Sequence, residues 1–195
     1  NPSGFVMSPK RVVPQGSTFV NGYDIPASAP VAAVLRSVLH RAMTAHDGQP
    51  PDQLVLTHPE AWTEREIDVL LSATKNLGLD PSRITTVSEP RAAAQYYTRA
   101  KPLEPGSKIG VFDFGGGTLD VAVLQSTPEG TFNVISAHGD NQIGGKNFDA
   151  QIRRWVDAQL EEEHPDALGY LRTSASIEQL YSLDDSIRRA KELLS

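Results

Sequence analysis

One stretch of the chain constrains its fold most strongly: residues 109–124 read IGVFDFGGGTLDVAVL. Two apolar runs rich in Val, Ile and Phe flank three consecutive glycines, a pattern that predicts two strands joined by a tight turn. Because glycine has no Cβ, the backbone N–H groups of such a turn can approach an anion closely. Thr118 adds a hydroxyl, and Asp113 and Asp120 place hard oxygen ligands on either side of the turn. Together these residues predict a magnesium–phosphate site.

A glycine-rich hairpin can also be a turn without a ligand, but the pattern D-x-G-G-G-T-x-D is more specific than the glycines alone. No Lys follows the glycines as it would in a Walker-type loop. The pattern resembles the second phosphate-binding loop of the Hsp70 chaperone ATPase, in the actin/hexokinase/Hsp70 superfamily. This resemblance implies that Gly115, Gly116, Gly117 and Thr118 bind the phosphates of ATP or ADP. It also implies that Asp113 and Asp120 hold Mg²⁺, and that Asp113 and Thr118 take part in catalysis.

Composition excludes several classes of protein. The 195 residues can bury a full core and suggest one or two domains, and the net charge of −6 argues against a general nucleic-acid surface. No apolar run is long enough to span a membrane, and no signal peptide opens the sequence. Cysteine is absent, which weakly favours a reducing compartment, so we expect a cytoplasmic protein. The first residues lack Met and the last lie in a helical pattern, so we expect a piece of a longer protein.

The first 30 residues have little periodicity and predict irregular or short-stranded structure. Within them, NPSGFVMSPKRVV resembles an Hsp70 segment in which Asn-Pro opens the run and Lys-Arg closes it. The resemblance implies that Lys10 reaches toward the γ-phosphate and the attacking water. A solvated surface lysine is the alternative interpretation.

Residues 31–100 predict a helix–strand–helix–strand–helix run. Apolar residues recur at helical spacing over 31–42, with Ser28 as the predicted N-cap. Residues 53–57 and 84–87 predict strands. Thr63 and Glu66 form a capping box that opens a helix ending at Gly78, and the last helix begins after Ser88.

This run resembles the Hsp70 family's strand–helix–strand–helix block, with its Val-Pro-Ala and its Asn-Glu-Pro-Thr-Ala-Ala-Ala. Pro59 and Glu89-Pro90 match, which implies that Glu89 orients the water and the metal shell and that Pro59 relays the nucleotide state. Alternatively, Pro59 ends a strand and Glu89 complements a helix N-terminus. His58 departs from the family's apolar residue and Arg91 from its Thr, so we expect that Arg91 could pair with Glu89.

The second half begins after a Pro/Gly connector at residues 101–107, where we place a lobe boundary between residues 1–100 and 101–195. A third strand is predicted over 131–138. The run GDNQIGGKNFD resembles the family's G-D-T-H-L-G-G-E-D-F-D, with Lys146 and Asn147 in place of two acidic residues. Gly144 and Gly145 are predicted to open a helix whose N–H groups bind a phosphate oxygen. We expect both glycine clusters to approach one cleft.

The last predicted helix starts near Ser176, and its end, RRAKELLS, resembles the family's adenosine-contacting E-R-A-K-R-x-L-S. Lys191 and Ser195 match and are therefore implied to contact the adenosine. Arg188 and Glu192 exchange the family's charges, which removes the guanidinium that stacks on adenine. Whether ATP binding survives Arg91, Arg188 and Glu192 is left open at this point.

The resemblance implies an α/β fold of RNase H-like (actin-like ATPase) lobes, namely the end of the first lobe and most of the second. It implies an Hsp70-like nucleotide-binding domain that binds ATP or ADP with Mg²⁺ and hydrolyses ATP in the intact protein, with a J-domain protein or nucleotide exchange factor as partner. We expect the isolated chain to be inactive. The alternatives are a pseudo-ATPase scaffold and another superfamily member, a sugar kinase or an actin-like protein. Client, substrate-binding domain and oligomeric state are not predicted.

Overall fold

The computed structural model describes Gly4, Val6, Ser8–Asp140 and Gln142–Leu194. These residues divide into two compact units. One comprises the described residues up to Asp113 together with Asp120–Gly139, and the other comprises Phe114–Leu119 with the described residues from Asp140 to Leu194. The lobe boundary placed at residues 101–107 stays a prediction.

The first unit opens with α1 (Pro9–Val12), a 3₁₀ turn and a hairpin of β1 (Ser17–Val20) and β2 (Tyr23–Pro26). Asn21 and Gly22 form its turn with φ values of 52° and 83°. Two consecutive residues at positive φ match the twist of a two-residue hairpin, for which Asn-Gly is the preferred sequence. The hairpin is the short-stranded structure expected for this region.

A β–α–β unit follows. After α2 (Ser28–Ala45), the strands β3 (Leu54–His58) and β4 (Ile84–Ser88) pair in parallel, with α3 (Glu64–Ser72) in the connection between them and α4 (Glu89–Ala100) directly after β4. The predicted strands and helices are confirmed, although each strand ends one residue later than predicted and two helix ends also differ. Ser28 is the first residue of α2 and Ala27 its N-cap. α3 ends at Ser72, and the chain reaches Gly78 through turns in which Ala73 and Thr74 are buried.

The strands β5 (Lys108–Phe114), β6 (Leu119–Ser126) and β7 (Phe132–Asp140) form an antiparallel sheet in that order. Its inner face contributes Ala122, Leu124 and Phe132 to a core that also contains Ala94 of α4. Leu124 is wholly buried, which contributes about 2 kcal/mol of transfer free energy. The sheet packs against the helix that carries Glu89, and the small Ala94 permits this close contact.

A second core lies under α2, β3 and α3, formed by Val13, Val31, Leu56, Leu70 and Ala73.

The second unit contains α5 (Gly145–Glu163), α6 (Pro165–Thr173) and α7 (Ile177–Leu193). For α7, the helical spacing of apolar residues predicts that Ile177, Tyr181, Ile187 and Leu194 face inward; Ile187 is buried, but the other three are exposed. On α5 the apolar Phe148 and Trp155 are exposed as well. Periodicity identifies the apolar face of a helix but not whether another element covers that face. α6 was not predicted, although Pro165 at its start is a helix-opening signal. Within the described part of the chain, no helix combines the length and the apolar character that crossing a membrane requires.

Candidate functional site

The glycine-rich loop lies in the second unit, where the N–H of Gly115 donates to the carbonyl of Thr118 at 2.9 Å and closes the turn. The N–H groups of Gly116 and Thr118 and the Thr118 hydroxyl have no hydrogen-bond partner among the described residues. A loop of this kind offers several donors without Cβ atoms in the way. Such an arrangement can accept the oxygens of a phosphate group.

The second glycine cluster contacts the first directly. Gly145 N–H donates to Gly115 O at 2.9 Å, and Lys146 N–H donates to Gly116 O at 2.8 Å. A Cβ added to Gly144 would lie 2.6 Å from the backbone nitrogen of Gly117, closer than side-chain atoms can approach. Glycine at 144 is therefore required by the close approach of two backbones, and the expected convergence of the glycine clusters is confirmed.

The first turn of α5 differs from the open anion site that the sequence suggested. Besides the bonds to the loop, Gly144 N–H donates to Asn147 Oδ1 at 2.9 Å and Asn147 N–H donates to Gly144 O at 2.9 Å. The backbone donors that were expected to take a phosphate oxygen are thus occupied within the protein. In this structure Gly144 and Gly145 support the loop rather than present free N–H groups. Binding of the cofactor by these two glycines stays a prediction.

Lys191 of α7 reaches the same first turn. Its Nζ lies 2.6 Å from Asp149 Oδ1 and donates to the carbonyl of Gly145 at 3.1 Å, and both charged side chains are about three-quarters buried. Ser195, the other residue expected to contact adenosine, lies outside the described residues. Arg188 pairs with Asp185 on its own helix at 2.5 Å.

A second ionic link joins α7 to α5. Arg153 Nε donates to Asp157 Oδ1 at 3.0 Å, and its Nη1 donates to Asp184 Oδ1 at 2.7 Å. Hydrogen bonds to Asp157 and Asp184 raise the pKa of the Arg153 guanidinium above its ordinary value. The two helices are therefore fixed to each other at both Lys191 and Arg153.

The two aspartates of the motif lie on neighbouring strands. At the open end of the hairpin Ser126 N–H donates to Ser107 O, and at its turn Gly115 N–H donates to Thr118 O, both at 2.9 Å. These bonds share one register, which places Asp113 of β5 opposite Asp120 of β6 with both side chains on the same face. Because like charges directly opposite one another are unfavourable, this position favours a cation.

The structure carries no all-protein metal cage in its described parts, since no group of three or more His, Asp or Glu side chains converges there. Magnesium is commonly held by one or two carboxylates, with waters and substrate phosphates completing its shell. Asp113 and Asp120, which flank the glycine loop in the sequence, fit that donor set.

The remaining predicted catalytic residues meet in the first unit. Lys10 of α1 donates from Nζ to both carboxylate oxygens of Glu89 at 2.9 Å. Glu89 is the first residue of α4, and its side chain is 19% exposed. The lysine is therefore held in a defined ion pair, which differs from the solvated surface charge weighed as an alternative.

Arg91 differs from the expectation that it could pair with Glu89. Its Nη2 lies 3.5 Å from Glu60 Oε1 instead. Residues two apart on a helix do not face each other, so Glu89 and Arg91 point to different partners. Glu60 was missed by the sequence reasoning, as was Asp149, the partner of Lys191. For Asp149 a signal was available, because it is the last Asp of the GDNQIGGKNFD run.

The chain is similar to proteins of one known family. Residues 18–195 match the model of the Hsp70 protein family. The chaperone protein DnaK of Elusimicrobium minutum (strain Pei191) is 33% identical over 196 residues, an alignment that covers all of this chain and 30% of that protein. The chain thus spans about 30% of the length of this curated relative. From the match and the fold together, the chain belongs to the Hsp70 family and forms part of its α/β, actin-like ATPase domain.

Proposed function

We propose that the intact protein binds ATP and ADP with Mg²⁺ and hydrolyses ATP as an Hsp70-type chaperone. The observation that carries this proposal is the glycine loop. Among the described residues, the N–H groups of Gly116 and Thr118 have no hydrogen-bond partner, while Gly145 and Lys146 donate to the loop carbonyls and Gly144 approaches Gly117 at a distance that only glycine permits. Donors fixed in this way need little rearrangement when a phosphate arrives, which is how enzymes stabilise charge most effectively.

In this proposal Gly115–Thr118 bind the phosphate oxygens, and the facing carboxylates of Asp113 and Asp120 accept hydrogen bonds from the water shell of Mg²⁺. The metal, when bound, neutralises phosphate charge. Phosphoryl transfer depends mainly on positioning and electrostatics, so few further groups are needed. Lys10 stabilises charge at the γ-phosphate, and Glu89, which Lys10 holds, orients the attacking water.

The adenosine is assigned to the end of α7, with Lys191 and Ser195 as contacts. The Lys191 ammonium is already bound to Asp149 and to the carbonyl of Gly145. We therefore propose that Lys191 contributes to the adenosine site by fixing the first turn of α5. Glu192 and Arg188 stand where the family carries the opposite charges. We therefore expect the adenine to contribute less of the binding free energy than the phosphates do.

The proposal extends to partners and compartment. A J-domain protein or a nucleotide exchange factor is the proposed regulator of the intact protein, as the resemblance to the Hsp70 family implies. The cytoplasm is the proposed compartment, in keeping with a chain that contains no cysteine.

The experiment that tests the proposal is a calorimetric titration of the full-length protein with ATP, ADP and AMP, with and without Mg²⁺. We expect Mg-ATP and Mg-ADP to bind at least about a hundredfold more tightly than AMP. The reason is that each hydrogen bond to a charged phosphate contributes about 1.5–3 kcal/mol. Equal affinity for AMP and ATP would mean that the loop does not bind the β- or γ-phosphate. Tight binding of Mg-ATP without turnover would favour the pseudo-ATPase scaffold.

A further inference from the structure

Residues 59–62 directly follow β3, whose last residue His58 is paired with Ser88, the residue before Glu89. Pro59 is wholly buried, and its carbonyl accepts hydrogen bonds from the N–H of Trp62 at 3.2 Å and from His58 Nδ1 at 2.8 Å. The His58 ring, itself buried, stacks on the Trp62 ring with centroids 6.4 Å apart and planes 9° from parallel. Residues 58–62 therefore hold the backbone of Glu60 in one place.

Glu60 belongs to this segment, and its Oε1 lies 3.5 Å from Nη2 of Arg91. The Glu60 side chain is 22% exposed, and its second oxygen is buried without a hydrogen-bond partner among the described residues. Burying a carboxylate in this way costs desolvation free energy unless a nearby cation compensates for its charge. The pairing with Arg91 is thus more than a solvated surface contact, although the guanidinium itself is about half exposed.

Both ion pairs of this region meet in the first turn of α4. Glu89 and Arg91 flank the buried Pro90, and because they are two residues apart their side chains leave the helix in different directions. Glu89 is bound by Lys10 of α1, and Arg91 is bound by Glu60 at the end of β3. The first turn of α4 therefore makes two ion pairs, one in which its carboxylate binds a lysine and one in which its guanidinium binds a glutamate.

We propose that the Glu60–Arg91 ion pair is a positioning pair, which sets the first turn of α4 so that Glu89 meets Lys10 with both carboxylate oxygens. Neither Glu60 nor Arg91 is assigned to the nucleotide. The pair acts through Glu89, so the inference rests on the proposed ATP hydrolysis for its catalytic consequence but not for its structural one. Loss of the pair lets α4 shift at its N-terminus, and small displacements of a catalytic group reduce turnover strongly.

The catalytic consequence is tested in the full-length protein with E60Q, R91M, the double variant and the conservative R91K. We expect E60Q and R91M each to lower kcat about tenfold while KM for ATP stays within about twofold, since positioning acts on the chemical step. The double variant should also fall about tenfold rather than a hundredfold, because residues that act as one unit are not additive. R91K, which keeps the charge, should recover to within about threefold of wild type. Unchanged kcat in R91M, or additive losses in the double variant, would overturn the inference.

A second measurement does not depend on ATP turnover. In the nucleotide-free full-length protein, an amine-reactive reagent and mass spectrometry report how fast Lys10 is modified, with the exposed Lys75 as internal reference. We expect E60Q and R91M to raise the relative reactivity of Lys10 at least about threefold, R91K to leave it unchanged, and E89Q, which removes the carboxylate charge that holds Lys10, to raise it most. An increase in a protein that does not hydrolyse ATP would retain the positioning pair and reject the proposed function. Unchanged Lys10 reactivity in R91M would reject the positioning pair whatever the turnover.

Discussion

Lys10 Nζ lies 2.9 Å from both carboxylate oxygens of Glu89, a residue 79 positions later in the chain. The lysine side chain is 40% exposed and the glutamate 19%, so the pair sits at the boundary between protein and solvent. A salt bridge between fully exposed side chains contributes little, but here one oxygen pair is largely withdrawn from water. The contact connects α1 to the first turn of α4 and brings together two groups that the resemblance assigns to one reaction.

The close approach of the glycine clusters predicts a sharp effect of one methyl group. Gly144→Ala places a Cβ 2.6–2.7 Å from the backbone of Gly117, so the loop must move. We expect the affinity for Mg-ATP to fall at least about tenfold, because the phosphate donors lose their fixed geometry. Gly169→Ala is the matched control, since nothing lies within 4 Å of its added Cβ and alanine favours its helix. Equal affinities of the two variants would contradict the proposed support of the loop.

The ion pair between Lys191 and Asp149 predicts that replacing Lys191 lowers the free energy of unfolding, independently of nucleotide binding. Lys191→Met removes a largely buried ion pair with Asp149 and the hydrogen bond to Gly145 O. We expect a loss of about 2 kcal/mol in the free energy of unfolding of this unit, measured by thermal unfolding of the full-length protein. Adding Asp149→Asn should cost little more, since the partner is already missing. The exposed Lys75→Met should change stability by less than about 0.5 kcal/mol. A loss as small as that of the Lys75 control would refute the role of Lys191 as an anchor.

Because the carboxylates of Asp113 and Asp120 face each other, replacing Asp113 should stabilise the metal-free protein but weaken its use of Mg²⁺. Asp113→Asn relieves the repulsion between them, so the metal-free protein should gain a few tenths of a kcal/mol in stability. The same change should raise the Mg²⁺ concentration for half-maximal ATP turnover at least about tenfold, because one of the two carboxylates proposed to hold the water shell of the metal is lost. Asp24→Asn, on the exposed hairpin strand, serves as the charge-matched control. If Asp113→Asn and Asp24→Asn show the same Mg²⁺ dependence, the metal does not bind at this position.

The capping box of α3 predicts a pH dependence. Hydrogen bonds from the Thr63 hydroxyl and the Thr63 N–H lower the pKa of Glu66 below its ordinary value of 4.5. A lowered pKa in the folded state means that the stabilisation is complete above pH 4.5 and is lost as the pH falls through the folded pKa. The unfolding temperature of Glu66→Gln should therefore lie below wild type at pH 7 and converge with it in more acidic buffer. Glu64→Gln, in the same turn, controls for the helix dipole. A gap between Glu66→Gln and wild type that stays constant with pH would disprove the assignment.

Local chemistry made much of the fold predictable. The hairpin around Gly115–Gly117, the capping box of Thr63 and Glu66, and the helix opened by Gly144 each depend on residues close in sequence. The Asn21-Gly22 hairpin and the Pro165 helix start carried similar local signals. By contrast, the exposure of Phe148 and Trp155 depends on which other elements cover α5, and a periodic pattern does not contain that information.

The candidate site was predictable in its motifs and not in its ion pairs. The sequence placed Arg91 beside Glu89, but the choice of Glu60 as its partner depends on the tertiary placement of the β3 end. Likewise, the helix dipole argument for α5 holds for an open N-terminus, whereas Gly145 and Lys146 donate to the loop carbonyls. In both cases the bonding partner lies far away in the sequence, so a local pattern does not identify it.

The most direct test of the account is single-turnover hydrolysis of Mg-ATP by the full-length protein and by Lys10→Ala, with the protein in excess over ATP and well above its dissociation constant. We expect wild-type turnover, and a rate about a hundredfold lower in the variant, since one electrostatic contact in a transition state contributes roughly 3 kcal/mol. The dissociation constant for Mg-ATP should change by less than about threefold, because Lys10 is proposed to act at the γ-phosphate during the chemical step. Equal rates for wild type and Lys10→Ala, or a wild-type protein that binds Mg-ATP without hydrolysing it, would contradict the proposal that this chain is part of a working ATPase.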